Sequence, residues 1–118
     1  MIRLKVRHSP GRMNKTETRY AQDLALEVAA GEIVWWGFEA LTFKLAHDTR
    51  YTPDFILVRV DGTLHAHEVK GFWREDARAK IKLAATLFPW ICFEAVTVGK
   101  GGAWVHEAFE PAEMPRVR

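Results

Sequence analysis

Apolar and basic residues alternate over residues 2–7, with Ile2, Leu4 and Val6 set against Arg3, Lys5 and Arg7. That is the pattern of an edge strand or an extended arm. Ser9, Pro10 and Gly11 break it. The period then lengthens. Asn14 is a good helix cap, and the pattern predicts a helix to about Ala30, with Gly31 as its stop. Ala21, Leu24 and Val28, with Tyr20 alongside, make its apolar stripe. Glu17 shares that stripe, so a carboxylate lies on the core-facing side. Ile33 to Phe38 and Leu41 to Leu45 read as one extended stretch or as two short strands around Glu39, and His47 to Arg50 as a loop. Residues 54–60 form an apolar strand, Asp61-Gly62 a turn, and residues 63–70 the return strand, after which Gly71 releases the chain. Glu75 and Asp76 favour the start of a second helix. Ala77, Ile81, Ala84, Ala85 and Phe88 trace its apolar face as far as Pro89. Trp90 to Val98 reads as a fully apolar, buried strand, residues 99–102 as a loop, and residues 103–107 as a last strand.

The order helix, strand, strand hairpin, helix, strand predicts an α/β fold around a small mixed sheet. A chain of 118 residues fits one domain, with residues 1–13 as a basic arm or edge strand and 111–118 as a loose tail. The apolar share of 48%, with five Trp and seven Phe, supplies a real core. No apolar run approaches the ~18 residues of a membrane span. No signal peptide is expected. The single Cys92 lies in an apolar run and is expected to be inert core, which fits a reducing cytoplasm.

Charge changes the picture more than composition does. The net charge of +2 hides an asymmetry. Arg3, Lys5, Arg7, Arg12, Lys15 and Arg19 crowd the first part of the chain, whereas residues 20–39 carry Asp23, Glu27, Glu32 and Glu39 without Lys or Arg. A second basic group holds Arg74, Arg78, Lys80 and Lys82. Basic arms beside an acidic pocket suit an enzyme that attracts a polyanion and holds a metal, and they suit a plain solvated surface as well.

Tyr51-Thr-Pro-Asp-Phe55 and Glu68-Val-Lys70-Gly71 sharpen the choice. On a strand, Glu68 and Lys70 point the same way, roughly 6–7 Å apart. In a hairpin Asp54 approaches Glu68 from the neighbouring strand. Mg²⁺ prefers oxygen ligands, commonly one or two carboxylates with water and a phosphate. Asp54 and Glu68 supply carboxylates, the Val69 carbonyl a third oxygen, and Lys70 a cation to orient water or offset charge on a phosphate. Glu17 has two readings, because Asn14-Lys-Thr-Glu17 also has capping-box spacing. Glu39, amid aromatics, is either an exposed strand end or a third acidic ligand. His65 and His67 face away from Glu68 and Lys70. A His-x-His pair can bind zinc, but no third ligand lies at a sensible spacing, which favours surface or packing roles. Trp73, just after Lys70, is read as core, as a brace for the site, or as a contact for nucleic acid.

These residues resemble the signature of the PD-(D/E)XK nuclease superfamily, through Pro53-Asp54 and Glu68-Val-Lys70. The longer match, with Trp73 and the charged start of the next helix, is similar to the phage endonuclease I group of Holliday-junction resolvases and to a set of small phage and prophage proteins. It covers about Asn14 to Val98. The resemblance implies a restriction-endonuclease-like core, with a central mixed β-sheet of four to five strands flanked by α-helices. It implies Mg²⁺ or Mn²⁺, DNA cleavage leaving a 5′-phosphate, a homodimer, and a phage- or prophage-encoded protein in a bacterial cytoplasm. It gives Glu17 and Glu39 places among the catalytic acids with Asp54, Glu68 and Lys70, and Glu17 a place among the metal ligands. Arg3, Arg7, Arg12, Arg74, Arg78 and Lys82 would hold DNA phosphates. The long basic C-terminal extension of endonuclease I is missing here, and the basic arm at residues 1–19 is its candidate substitute. The rival readings are a restriction-like or nicking nuclease with another DNA substrate, and a catalytically silent DNA-binding phage accessory protein.

Overall fold

The computed structural model describes residues 4–6, 11–71 and 75–112. It is an α/β structure. The elements in chain order are β1 (Leu4–Val6), α1 (Lys15–Ala29), β2 (Ile33–Phe38), β3 (Leu41–Ala46), β4 (Thr49–Tyr51), β5 (Phe55–Arg59), β6 (Leu64–Lys70), α2 (Glu75–Leu87), β7 (Ile91–Val98) and β8 (Trp104–Phe109). A mixed five-stranded sheet runs β2-β5-β6-β7-β8, and a separate three-stranded sheet runs β1-β3-β4. The second sheet was not anticipated. The stretch expected to be a loop at His47–Arg50 is a tight β3–β4 connection, and Glu39 is where the chain leaves one sheet for the other. Glu39 makes that change with φ at +48°, a backbone conformation that non-glycine residues adopt at a cost of about 1–3 kcal/mol.

Alternation along the central strands builds two cores. On one face of the five-stranded sheet, Phe55, Leu57, Val69 and Val96 pack with Tyr20, Ala21 and Leu24 of α1. On the other, Ile56, Ala66 and Phe93 pack with Ile81, Ala84, Ala85 and Phe88 of α2 and with Phe43 and Tyr51 of the small sheet. α1 starts at the Asn14 cap, and Gly31 follows its end with φ at +79°. β5 and β6 form the expected hairpin, in the register Phe55↔His67 to Val58↔Leu64. β6 then pairs in parallel with β7 through α2, with His67 opposite Glu94.

β7 corrects one expectation. It begins at Ile91 and is not apolar throughout. Trp90 and Cys92 are exposed, so the thiol is not core. Phe93, Ala95 and Val96 are buried, but Glu94 is only half-buried. Cys92 and Glu94 share the α1 face, and Cys92 lies across from His65.

Candidate active site

The β5–β6 hairpin sets the acid pair. Phe55↔His67 ends its ladder, and Asp54 and Glu68 are the next residues outward. Both are buried. Asp54 Oδ2 accepts the Val69 N–H at 2.8 Å, which ties the start of β5 to the end of β6. Glu68 Oε1 accepts the Tyr51 hydroxyl at 2.9 Å, and Lys70 Nζ stands 3.4 Å from Glu68 Oε2. Lys70 itself is exposed. The site therefore has a dry floor of two carboxylates and a cation at its rim.

The electrostatics are those of like charges with too little water. Burial, followed by the Glu68 charge, pushes the Asp54 carboxyl up to about 8, and the charge of Glu17 adds to the rise. Glu68 is also raised by burial, although Tyr51 and Lys70 oppose the shift. Tyr51 is held far above the ordinary phenol range by burial and by Glu68, so its hydroxyl remains a donor.

Glu17 realises both of its readings. Its Oε1 accepts the Asn14 N–H and its own N–H donates to Asn14 Oδ1, each at 2.8 Å, so the capping box forms. It is also buried and within electrostatic reach of Asp54. Glu39 reaches the site by its backbone: its N–H donates to the Asp54 carbonyl at 2.8 Å. Its side chain accepts the Gly11 N–H at 2.7 Å, so that carboxylate helps to anchor the segment before α1.

The basic residues divide. Arg12 is exposed. Arg78 forks onto both oxygens of Glu107, and Lys82 Nζ donates to the Glu110 carbonyl, so both join α2 to the β8 end of the molecule. Arg3, Arg7 and Arg74, with Trp73, lie outside the described residues.

Two participants were not singled out from sequence. Tyr51 had a signal, since it opens the Tyr-Thr-Pro-Asp-Phe motif. Glu94 had none. It comes to His65 and His67 through the parallel β6–β7 register, and it is the third ligand-type side chain that local spacing did not supply. Among the described residues, this is the trio whose ligand atoms converge, all within 4.8 Å of one another. No family model matches the chain, and neither a curated protein nor a solved structure matches it.

Proposed function

We propose that the chain is a divalent-metal-dependent DNA endonuclease of the PD-(D/E)XK kind, with a restriction-endonuclease-like core, acting on branched or otherwise structured DNA. The supporting observation is the buried Asp54–Glu68 pair, in which each carboxyl is raised and a cation lies beside one of them. One ammonium at the rim does not balance two buried carboxylates, and a divalent ion is the counter-charge that fits them. Asp54 and Glu68 would hold Mg²⁺ or Mn²⁺, with the Val69 carbonyl as a third oxygen and Glu17 behind them. When bound, the metal supplies Lewis-acid polarisation of the phosphodiester.

The protein's own groups do the rest. Tyr51 and Lys70 hold the Glu68 carboxylate in one orientation. The Val69 N–H fixes Asp54. Lys70, at the rim, can orient the attacking water and offset charge developing on the phosphate. Water attacks phosphorus, the bond to the 3′ oxygen breaks, and a 5′-phosphate and a 3′-hydroxyl remain. Exposed Arg12 is one of the phosphate contacts. Two copies related by a two-fold axis would let both strands be cut.

The test is cleavage of supercoiled plasmid and of a four-way junction in Mg²⁺ or Mn²⁺ by wild type, Glu68→Ala and Lys70→Ala, with thermal melts to confirm folding. Wild type alone should cut at full rate. Equal activity in all three proteins rules out the assigned site, and no cleavage of any DNA by folded wild type rules out the enzyme. A junction cut faster than linear duplex supports the branched substrate, and the reverse favours a nuclease with another DNA target.

A further inference from the structure

β6 carries a different chemistry on its other face. Parallel pairing brings Glu94 Oε2 to 3.4 Å from His65 Nδ1 and 3.6 Å from His67 Nε2. These separations are too long for good hydrogen bonds. Both ring nitrogens are shut off from solvent and have no hydrogen-bond partner, and His67 is fully buried. A buried polar atom left in that state costs about 1–3 kcal/mol, so two of them aimed at one oxygen call for an explanation. A tetrahedral ion with bonds of about 2.0–2.1 Å sets its ligand atoms about 3.3–3.4 Å apart. The two separations at Glu94 lie close to that edge length.

The surrounding bonds are the second observation. Each ligand-type group is held from behind by an atom that does not face the centre. His67 Nδ1 lies 2.6 Å from the Tyr20 hydroxyl. His65 Nε2 lies 3.1 Å from Thr63 Oγ1, which in turn donates to Asp61 Oδ1 at 2.7 Å. Glu94 Oε1 lies 2.9 Å from His106 Nδ1, and Oε2 is left facing the two imidazoles. Metal-binding histidines are oriented in this way, with the outer nitrogen bonded and the inner one presented. A plain ion pair would close as His106 does, at 2.9 Å, whereas His65 and His67 stand off.

We propose that His65 Nδ1, His67 Nε2 and Glu94 Oε2 bind one zinc-class divalent cation, with His106 positioning the carboxylate. Imidazole with a carboxylate suits zinc and its neighbours and not Mg²⁺, so this site is chemically distinct from Asp54 and Glu68. A water completes the four-coordinate set that zinc favours.

The test uses the full chain, stripped with EDTA and dialysed, then titrated with Zn²⁺ by calorimetry and with Co²⁺ by visible absorption. The expected result is one Zn²⁺ per chain and the intense visible bands of four-coordinate Co²⁺. His65→Ala and Glu94→Gln should abolish both signals. His65 is the histidine to change because it is only half-buried; changing His67 opens the core. His106→Ala should weaken zinc about 10–100-fold, as loss of an outer contact does. Asp54→Asn with Glu68→Gln should retain the zinc. Wild type that takes up no Zn²⁺, Glu94→Gln that binds as wild type does, or uptake lost with the two acids would each overturn the site.

Discussion

On one face of β6, Glu68 lies beside Asp54, carboxylate next to carboxylate. On the other, His67 lies beside Glu94, imidazole next to carboxylate. The acids differ in burial, Glu94 being the less buried, and the outcome is opposite. Asp54 and Glu68 are both pushed up by desolvation, and at Asp54 like charge adds to the rise. Glu94 is driven well below the usual carboxylate range by His106, His65 and His67. One strand thus separates two crowded acids, served by one cation at the rim, from a carboxylate bonded to His106 and faced by two imidazoles. The first asks for a hard dication and the second offers nitrogen to a softer one.

The harshest way to break this contrast is to neutralise each face in turn. Asp54→Asn should lower DNA cleavage about 10³-fold, about 4 kcal/mol of transition-state stabilisation. It should also make the metal-free protein more stable at pH 8, since the amide still accepts from Val69 and the like charge is gone. Glu94→Gln should move stability the other way, because the donors around it lose a charged acceptor. Cleavage assays and urea titrations of both variants decide the matter. Stability changes of the same sign would mean that the faces are not electrostatic opposites.

Metal binding sharpens it next. Mn²⁺ at about 100 times its dissociation constant should add about 2.7 kcal/mol to wild-type stability. The gain should be larger at pH 8 than at pH 6, because protons compete for Asp54. Asp54→Asn should remove it and His65→Ala should leave it intact. Thermal melts across a Mn²⁺ series are the measurement, and a gain that survives Asp54→Asn would move the dication elsewhere.

The stability of the metal-free protein should itself bend with pH. Asp54 titrates near 3.8 when unfolded and near 8 when folded. Between those values the folded chain holds a proton that the unfolded chain has lost, so stability falls as pH rises. His67 works in the opposite sense: its folded value lies below 6.5, so its contribution is complete above that pH and is lost on acidification. Above pH 6.5 the His67 contribution is complete and no longer opposes the fall set by Asp54. Denaturant titrations in EDTA should show Asp54 alone taking at most about 2 kcal/mol from wild type between pH 6.5 and 8, and Asp54→Asn losing less than wild type. A flat wild-type profile would contradict the raised carboxyl.

Much of the acid face could be read from the chain because a hairpin is local. Asp61-Gly62 sets the turn, the turn sets the register, and the register sets Asp54 and Glu68 side by side. The α1 boundaries followed from Asn14 and Gly31 for the same reason. The other face was hidden. Its partner arrives through α2 and a parallel ladder, and no spacing in the sequence announces which residue of β7 will meet His67. The small sheet was hidden as well, because Glu39 takes a conformation that its side chain does not advertise. Arg78 and Lys82 show the converse limit. They were expected to hold DNA phosphates, but β8 supplies Glu107 to Arg78 and the segment after it supplies the Glu110 carbonyl to Lys82.

The smallest effects come from two hydroxyls, one on each face. Tyr51 donates to Glu68 at 2.9 Å, and Tyr20 meets His67 at 2.6 Å. Replacing either with Phe should cost about 1 kcal/mol, the ordinary net value of one hydrogen bond. The two losses should differ in how they vary with pH. The Tyr51 bond runs to a group that gains charge as pH rises, and a bond to a charged acceptor is stronger than one to a neutral acid. The cost of Tyr51→Phe should therefore grow as pH rises, and cleavage should fall because Glu68 loses its fixed orientation. His67 is neutral across pH 7 to 9, so the cost of Tyr20→Phe should stay level there and appear instead as weaker zinc binding. Urea titrations of both variants at several pH values separate the two. Parallel profiles would contradict the upward shift at Glu68, and the distinction between the faces of β6 would then rest on the histidines alone.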